Sequence, residues 1–124
     1  MKTNVHKNSL DAYRSLNLNR SQDIVARAIR RETKAGRAST IDSLFRRYGL
    51  IPSSTSARIG ELRKMAEAGE AFRLDDEDWA LVMVGKVENE SGRIADSYKI
   101  EQFAVVRAAW LERNRGVGEQ AKLF

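Results

Sequence analysis

Between Thr40 and Ala66 the chain reads TIDSLFRRYGLIPSSTSARIGELRKMA, and Gly49 and Pro52 interrupt what is otherwise a helical pattern. Ile41, Leu44, Phe45 and Tyr48 recur at helical spacing behind Thr40, a residue type that caps helices by accepting from a free backbone N–H. Gly49 supplies the left-handed exit that a helix end often requires. Pro52 has no N–H for a helix interior, and Ser53 is the expected cap of the second helix. In that helix Thr55, Ile59, Leu62 and Ala66 fall at i, i+4, i+7 and i+11, one face that must be buried. Two amphipathic helices about a glycine-containing turn are the plan of a helix-turn-helix.

The remaining chain is long enough to support such a unit with a modest core. Its 124 residues are 42% hydrophobic and 31% charged, the balance of a folded domain. No apolar run approaches about 18 residues, so no membrane span is expected. Met1 to Leu10 lacks the apolar centre of a signal peptide, and the absence of cysteine excludes a disulfide framework and a thiolate metal site. An intracellular, cytoplasmic location is the expectation. Lys and Arg number 22 against 17 Asp and Glu, a net charge of +5 that favours a polyanionic partner.

In chain order, residues 1–8 are expected to be a flexible terminus. Asn8 or Ser9 caps a short helix carrying Leu10, Tyr13 and Leu16. Ser21 precedes a longer helix over about 22–35, with Ile24, Val25, Ala28 and Ile29 apolar and Gly36 as the stop. Arg27, Arg30, Arg31 and Lys34 form its solvated face. After the helix pair come a short apolar segment, Ala71 to Leu74, and an acidic turn, Asp75 to Asp78. Trp79 to Val87 reads as a strand, Glu88 to Gly92 as a turn and Arg93 to Ile100 as a returning strand, so a β-hairpin follows the helices. Residues 101–115 return to helix, with Phe103, Val106 and Trp110 on one stripe. That stripe reads as core, with a homodimer seam over 101–114 as its second reading. Residues 116–124 form a polar, flexible tail. The fold expected is α+β, mainly helical with one hairpin.

GLIPSSTSARIGELRK, Gly49 to Lys64, is similar to the turn and recognition helix of winged helix-turn-helix DNA-binding domains. It resembles in particular small phage and prophage proteins whose recognition helix reads S-x-x-S-A-R-x-x-E-L-R. In those proteins a wing follows that often contains S-G-R and then a short apolar strand, and Ser91, Gly92 and Arg93 followed by Ile94 to Ile100 fill that place. Ser9 to Leu16 resembles their short lead-in helix. The chain departs from the pattern at Thr55, where a β-branched aliphatic residue is usual, at Phe45, where a small residue is frequent, and in a longer wing interrupted by Asp75 to Asp78. The resemblance implies a winged helix-turn-helix over 9–100 with an extra C-terminal helix. It also implies sequence-specific binding of double-stranded DNA through a recognition helix at about 53–67, as in a transcriptional regulator working in the host bacterial cytoplasm.

If Ile59 and Leu62 point inward, the opposite side of their helix presents Ser53, Ser54, Ala57, Gly60, Glu61 and Lys64, flanked by Arg58 and Arg63. A face that small fits a major groove about 12 Å wide. Ser53, Ser54 and Thr55 offer N–H groups and hydroxyls to a phosphate. Arg58 reaches a base or a phosphate, Arg63 and Lys64 suit the backbone, and Lys86 and Arg93 flank the wing tip. Glu61 opposes phosphate unless it pairs with Arg58 or Arg46. The rival use of the helix pair is protein contact.

The terminal QAKLF is a second feature. It resembles the short peptide by which bacterial replication and repair proteins dock on the sliding clamp, with Gln120 on the rim and Leu123 and Phe124 in an apolar pocket. The alternative is that Leu123 and Phe124 fold back onto the core. The acidic run Asp75 to Asp78 reads as a solvated turn rather than a metal site. His6 is the single histidine, and no phosphate-cradling glycine motif occurs. Neither an enzyme nor a cofactor nor a metal is expected.

Overall fold

The computed structural model describes the backbone of residues 13–89 and 91–123 and the side chains of 13–89 and 91–113. Eight elements follow in order: β1 (Ser15–Asn17), α1 (Arg20–Lys34), α2 (Ile41–Tyr48), α3 (Pro52–Glu67), β2 (Ala71–Leu74), β3 (Glu77–Glu88), β4 (Ile94–Gln102) and α4 (Phe103–Leu123). The expected flexible segment 1–8 and residues 9–12 of the lead-in helix lie outside the described residues. No described helix is long and apolar enough to cross a membrane.

A reciprocal cap starts α1. The Asn19 side chain accepts from the Gln22 N–H at 2.9 Å, and the Gln22 side chain accepts from the Asn19 N–H at 3.1 Å. The helix therefore begins two residues before the start at Gln22 that Ser21 predicts. A cap at Ser21 would put Ile24 at the third helical position, with no group to return the bond. Ile24 is 45% exposed rather than core; Val25, Ala28 and Ile29 are buried.

The helix pair follows its local signals. Thr40 and Ser43 form a second reciprocal cap at the head of α2, and Gly49 ends that helix at φ 70°, ψ 22°. Ile51, not Ser53, occupies the cap position of α3, and Pro52 is its first residue. Proline suits that place because its missing N–H would have no helical acceptor there. Thr55, Ile59 and Leu62 are buried, and Ala66 packs against the smaller of two apolar clusters.

The sheet runs β1-β2-β3-β4. Ser15 and Leu16, expected as the end of a helix, instead join Asn17 in a strand that pairs in parallel with Ala71 to Arg73. Helical spacing over so short a stretch is weak, and the open edge of β2 offers backbone partners, among them Ala71 N–H to the Arg14 carbonyl at 2.8 Å. β2–β3 and β3–β4 are antiparallel, with an irregularity between Met83 and Gly85. On the outer edge of β4, Ser39 and Tyr98 exchange backbone bonds of 3.2 and 2.8 Å, tying the α1–α2 connection to the hairpin.

The acidic run is shorter as a turn than expected. Asp75 and Asp76 alone form it, both at positive φ. Arg27 and Arg30 hold the Asp75 carboxylate at 3.0 and 2.8 Å, so that part of the basic face of α1 is tied to the turn. Asp78 lies in the sheet and accepts from the Tyr13 and Ser15 hydroxyls.

Ile29, Leu44, Ile59, Leu62, Phe72 and Ile100 belong to the main core between the first three helices and the sheet. Glu32 is buried beside it, its carboxylate receiving Arg37 through two bonds of 2.9 Å and the Tyr48 hydroxyl at 2.7 Å. A second cluster joins Ala71, Ala80 and Phe103, with Val106 packed on it. Trp110 completes the stripe by lying on Gly69 and donating its indole N–H to the Glu67 carbonyl at 3.2 Å. The Phe103–Val106–Trp110 stripe thus packs against its own chain, as its reading as core expects. The helix also continues to Leu123, past Gly116 and Gly118, where a tail from residue 116 was expected. Each glycine costs a helix about 1 kcal/mol, and the Glu-Gln-Ala-Lys-Leu run beyond them is strongly helix-forming.

Candidate nucleic-acid interface

The burial of Thr55, Ile59 and Leu62 fixes which way α3 faces. On its opposite side, at i, i+4, i+7 and i+11, stand Ser53, Ala57, Gly60 and Lys64, a stripe of small side chains ending in a cation. Ser53, Ser54, Ala57 and Lys64 are exposed and Gly60 half-buried. Among the described residues, nothing beyond the helix's own backbone lies within 4 Å of a Cβ added at Gly60. The N-terminal end of α3 has no side-chain cap, and its first intrahelical bond is Thr55 N–H to the Ile51 carbonyl at 2.9 Å. The N–H groups of Ser53 and Ser54 precede that bond and point out of the helix end.

Thr55 does not belong with them. It is 1% exposed, and its hydroxyl donates to the Ile51 carbonyl at 2.8 Å. The periodicity that places Ile59 inward places Thr55 inward with it, so its inclusion among DNA-facing residues is corrected.

Arg58 lies on one shoulder of the stripe. Its Nε and Nη2 donate to the two oxygens of Glu61 at 2.8 and 2.9 Å, the pairing expected for that carboxylate. Gln22, from the first turn of α1, donates its amide to Glu61 Oε1 at 2.9 Å. The Gln22 bond and then Arg58 hold the Glu61 carboxyl below the usual carboxylate range. Arg46, the other partner considered for Glu61, pairs with Asp42 at 2.9 Å. Arg63 sits on the opposite shoulder, 3.9 Å from Glu67, and faces a groove shared with Met83, Lys99 and Arg113. Lys64 is exposed and makes no ion pair within 4 Å among the described residues.

The hairpin stands beside the start of α3. Pro52 lines one cleft together with Ile41, Asn89, Asp96 and Tyr98. Asn89 shapes the tip: its Oδ1 accepts from the Ser91 N–H, the Ser91 hydroxyl and the Arg93 N–H at 3.1, 2.7 and 3.0 Å. Arg93 emerges exposed from this turn. Lys86 is bound to Asp96 across the strands at 2.8 Å, which raises the lysine pKa and neutralises its charge locally.

Ser53, Ser54, Ala57 and Lys64 therefore share one helix face with Arg58 on its shoulder, Arg63 turns toward α4, and Lys86 and Arg93 lie on the adjoining hairpin. Gln22 and Asn89 complete this surface without having been assigned to it from sequence. The Asn19-x-x-Gln22 capping pattern was available as a signal for Gln22, although not its reach to Glu61. The side chains of Gln120 and Leu123, and all of Phe124, lie outside the described residues, so the clamp-peptide reading concerns groups beyond them. The backbone from 120 to 123 is helical rather than extended. Among the described residues, no group of three or more His, Cys, Asp or Glu side chains is arranged to hold a metal ion. No family model, curated protein or solved structure matches the chain.

Proposed function

We propose that the chain binds double-stranded DNA as a winged helix-turn-helix and serves as a transcriptional regulator of the small phage or prophage type. In this reading α2 and α3 are the helix pair, α3 enters the major groove, and the β3–β4 hairpin is the wing. The observation that carries it is the solvent face of α3, made of Ser53, Ala57, Gly60 and Lys64. Small side chains let the helix approach base edges closely, and its uncapped end suits a phosphate oxygen. Gly60 adds an energetic argument. A mid-helix glycine costs about 0.5–1 kcal/mol relative to alanine, yet among the described residues nothing beyond its own helix backbone approaches this position. A surface that must lie against the backbone there accounts for the cost.

Lys64 and Arg93 are the phosphate-facing cations. Two neutralised phosphates give a salt slope near −1.8, so affinity for a duplex falls roughly 12-fold between 50 and 200 mM salt. Titration of the full chain into a labelled random-sequence duplex measures this. A flat salt response overturns the reading. The regulatory part is tested separately, by placing selected binding sequences at a promoter and measuring its transcription.

A further inference from the structure

The guanidinium of Arg58 is held by one edge only. Glu61 takes Nε and one hydrogen of Nη2, the side-on edge of the group. Among the described residues, the hydrogens of Nη1 and the second hydrogen of Nη2 have no partner, and together they form the end-on edge. That edge carries two parallel donors, the pattern that matches O6 and N7 of guanine in the major groove. Glu61 is itself restrained by Gln22 of α1, whose other amide atom is occupied in the Asn19 cap. The brace therefore runs from the first turn of one helix to the middle of another.

We infer that Gln22 and Glu61 are positioning residues that turn Arg58 from a phosphate binder into a reader of guanine. This rests on the DNA-binding reading above. Paired with Glu61, Arg58 brings little net positive charge and so adds little to sequence-independent affinity. Its direction is fixed, and what it contributes is discrimination.

The experiment is selection of a randomised duplex pool by the full chain, followed by sequencing and by salt titration of a non-selected duplex. The wild type selects a site with one guanine preferred about 5- to 150-fold, the range of a bidentate contact. Arg58→Ala loses that preference. Glu61→Gln reduces it to about the level of Arg58→Ala. It also binds the non-selected duplex more tightly, with a salt slope steeper by about 0.9, because the released arginine neutralises a phosphate. A structural role alone does not raise non-specific affinity. Gln22→Ala, on the other helix, weakens the guanine preference in part and checks the brace should Glu61→Gln fail to fold. Retention of the full preference in Glu61→Gln, or a wild-type site without a guanine that depends on Arg58, overturns the inference and leaves DNA binding standing. A wild type that retains no duplex overturns the DNA reading and this inference together.

Discussion

The Trp110 indole covers Gly69 so closely that a Cβ placed on the glycine would lie 2.9 Å from the ring. Gly69 also holds φ at +74°, a conformation that L side chains rarely adopt. Gly69→Ala therefore combines backbone strain with overpacking against α4 and should cost about 2–4 kcal/mol. Urea unfolding followed by tryptophan fluorescence measures the loss. A change below about 0.5 kcal/mol would mean that α4 shifts freely off this site.

Glu32 makes stability depend on pH in a definite direction. Arg37, followed by Tyr48 and Arg47, holds its carboxyl at about 2 against an ordinary 4.5, despite the opposing effect of burial. The unfolded chain takes up this proton more readily than the folded one. Its contribution is complete above about pH 4.5 and is lost as the pH falls toward 2. At 1.36 kcal/mol per pH unit the full contribution is about 3 kcal/mol. Glu32→Gln should therefore be less stable than the wild type at pH 7, with the gap closing near pH 2. Parallel unfolding curves across the whole range would refute this.

At Gly60 stability and binding should move in opposite directions. Among the described residues alanine meets no neighbour there, and it favours the helix, so Gly60→Ala should stabilise the fold by about 0.5–1 kcal/mol. The added methyl stands on the face assigned to the groove, and duplex affinity should fall. Thermal melting and a duplex titration of the same sample decide it; unchanged affinity would remove Gly60 from the contact.

The turn between β2 and β3 carries aspartate at two positive-φ positions. A two-residue hairpin of this kind favours glycine at the second. Asp75 is retained by Arg27 and Arg30, whereas no ion pair within 4 Å among the described residues holds Asp76. Asp76→Gly should raise stability by about 0.5–1 kcal/mol, read from the urea midpoint.

What the sequence revealed depended on how far each determinant lay from its partner. Thr40, Gly49 and Pro52 act within a turn or two of themselves, and the helix pair they bound was legible down to its exit glycine. The hairpin was legible from the β-branched run after Trp79. Strand β1 was not, since Ser15 acquires its conformation from Ala71, far along the chain. Thr55 misled because a small hydroxyl suits a solvent face as readily as a core; only its phase with Ile59 separated the two. That Glu61 pairs with an arginine was legible, with Arg58 and Arg46 both open as the partner; the choice of Arg58 and the Gln22 contact needed the folded chain.

The parallel docking of Ser15–Asn17 on β2 has a consequence for any shortened form of the protein. Without those three residues, the backbone groups of Ala71 to Leu74 would face water along an apolar Ala-Phe-Arg-Leu stretch. Such a stretch is a template for strand addition from another molecule. The small parallel strand thus acts as a guard against self-association, a role that its length conceals.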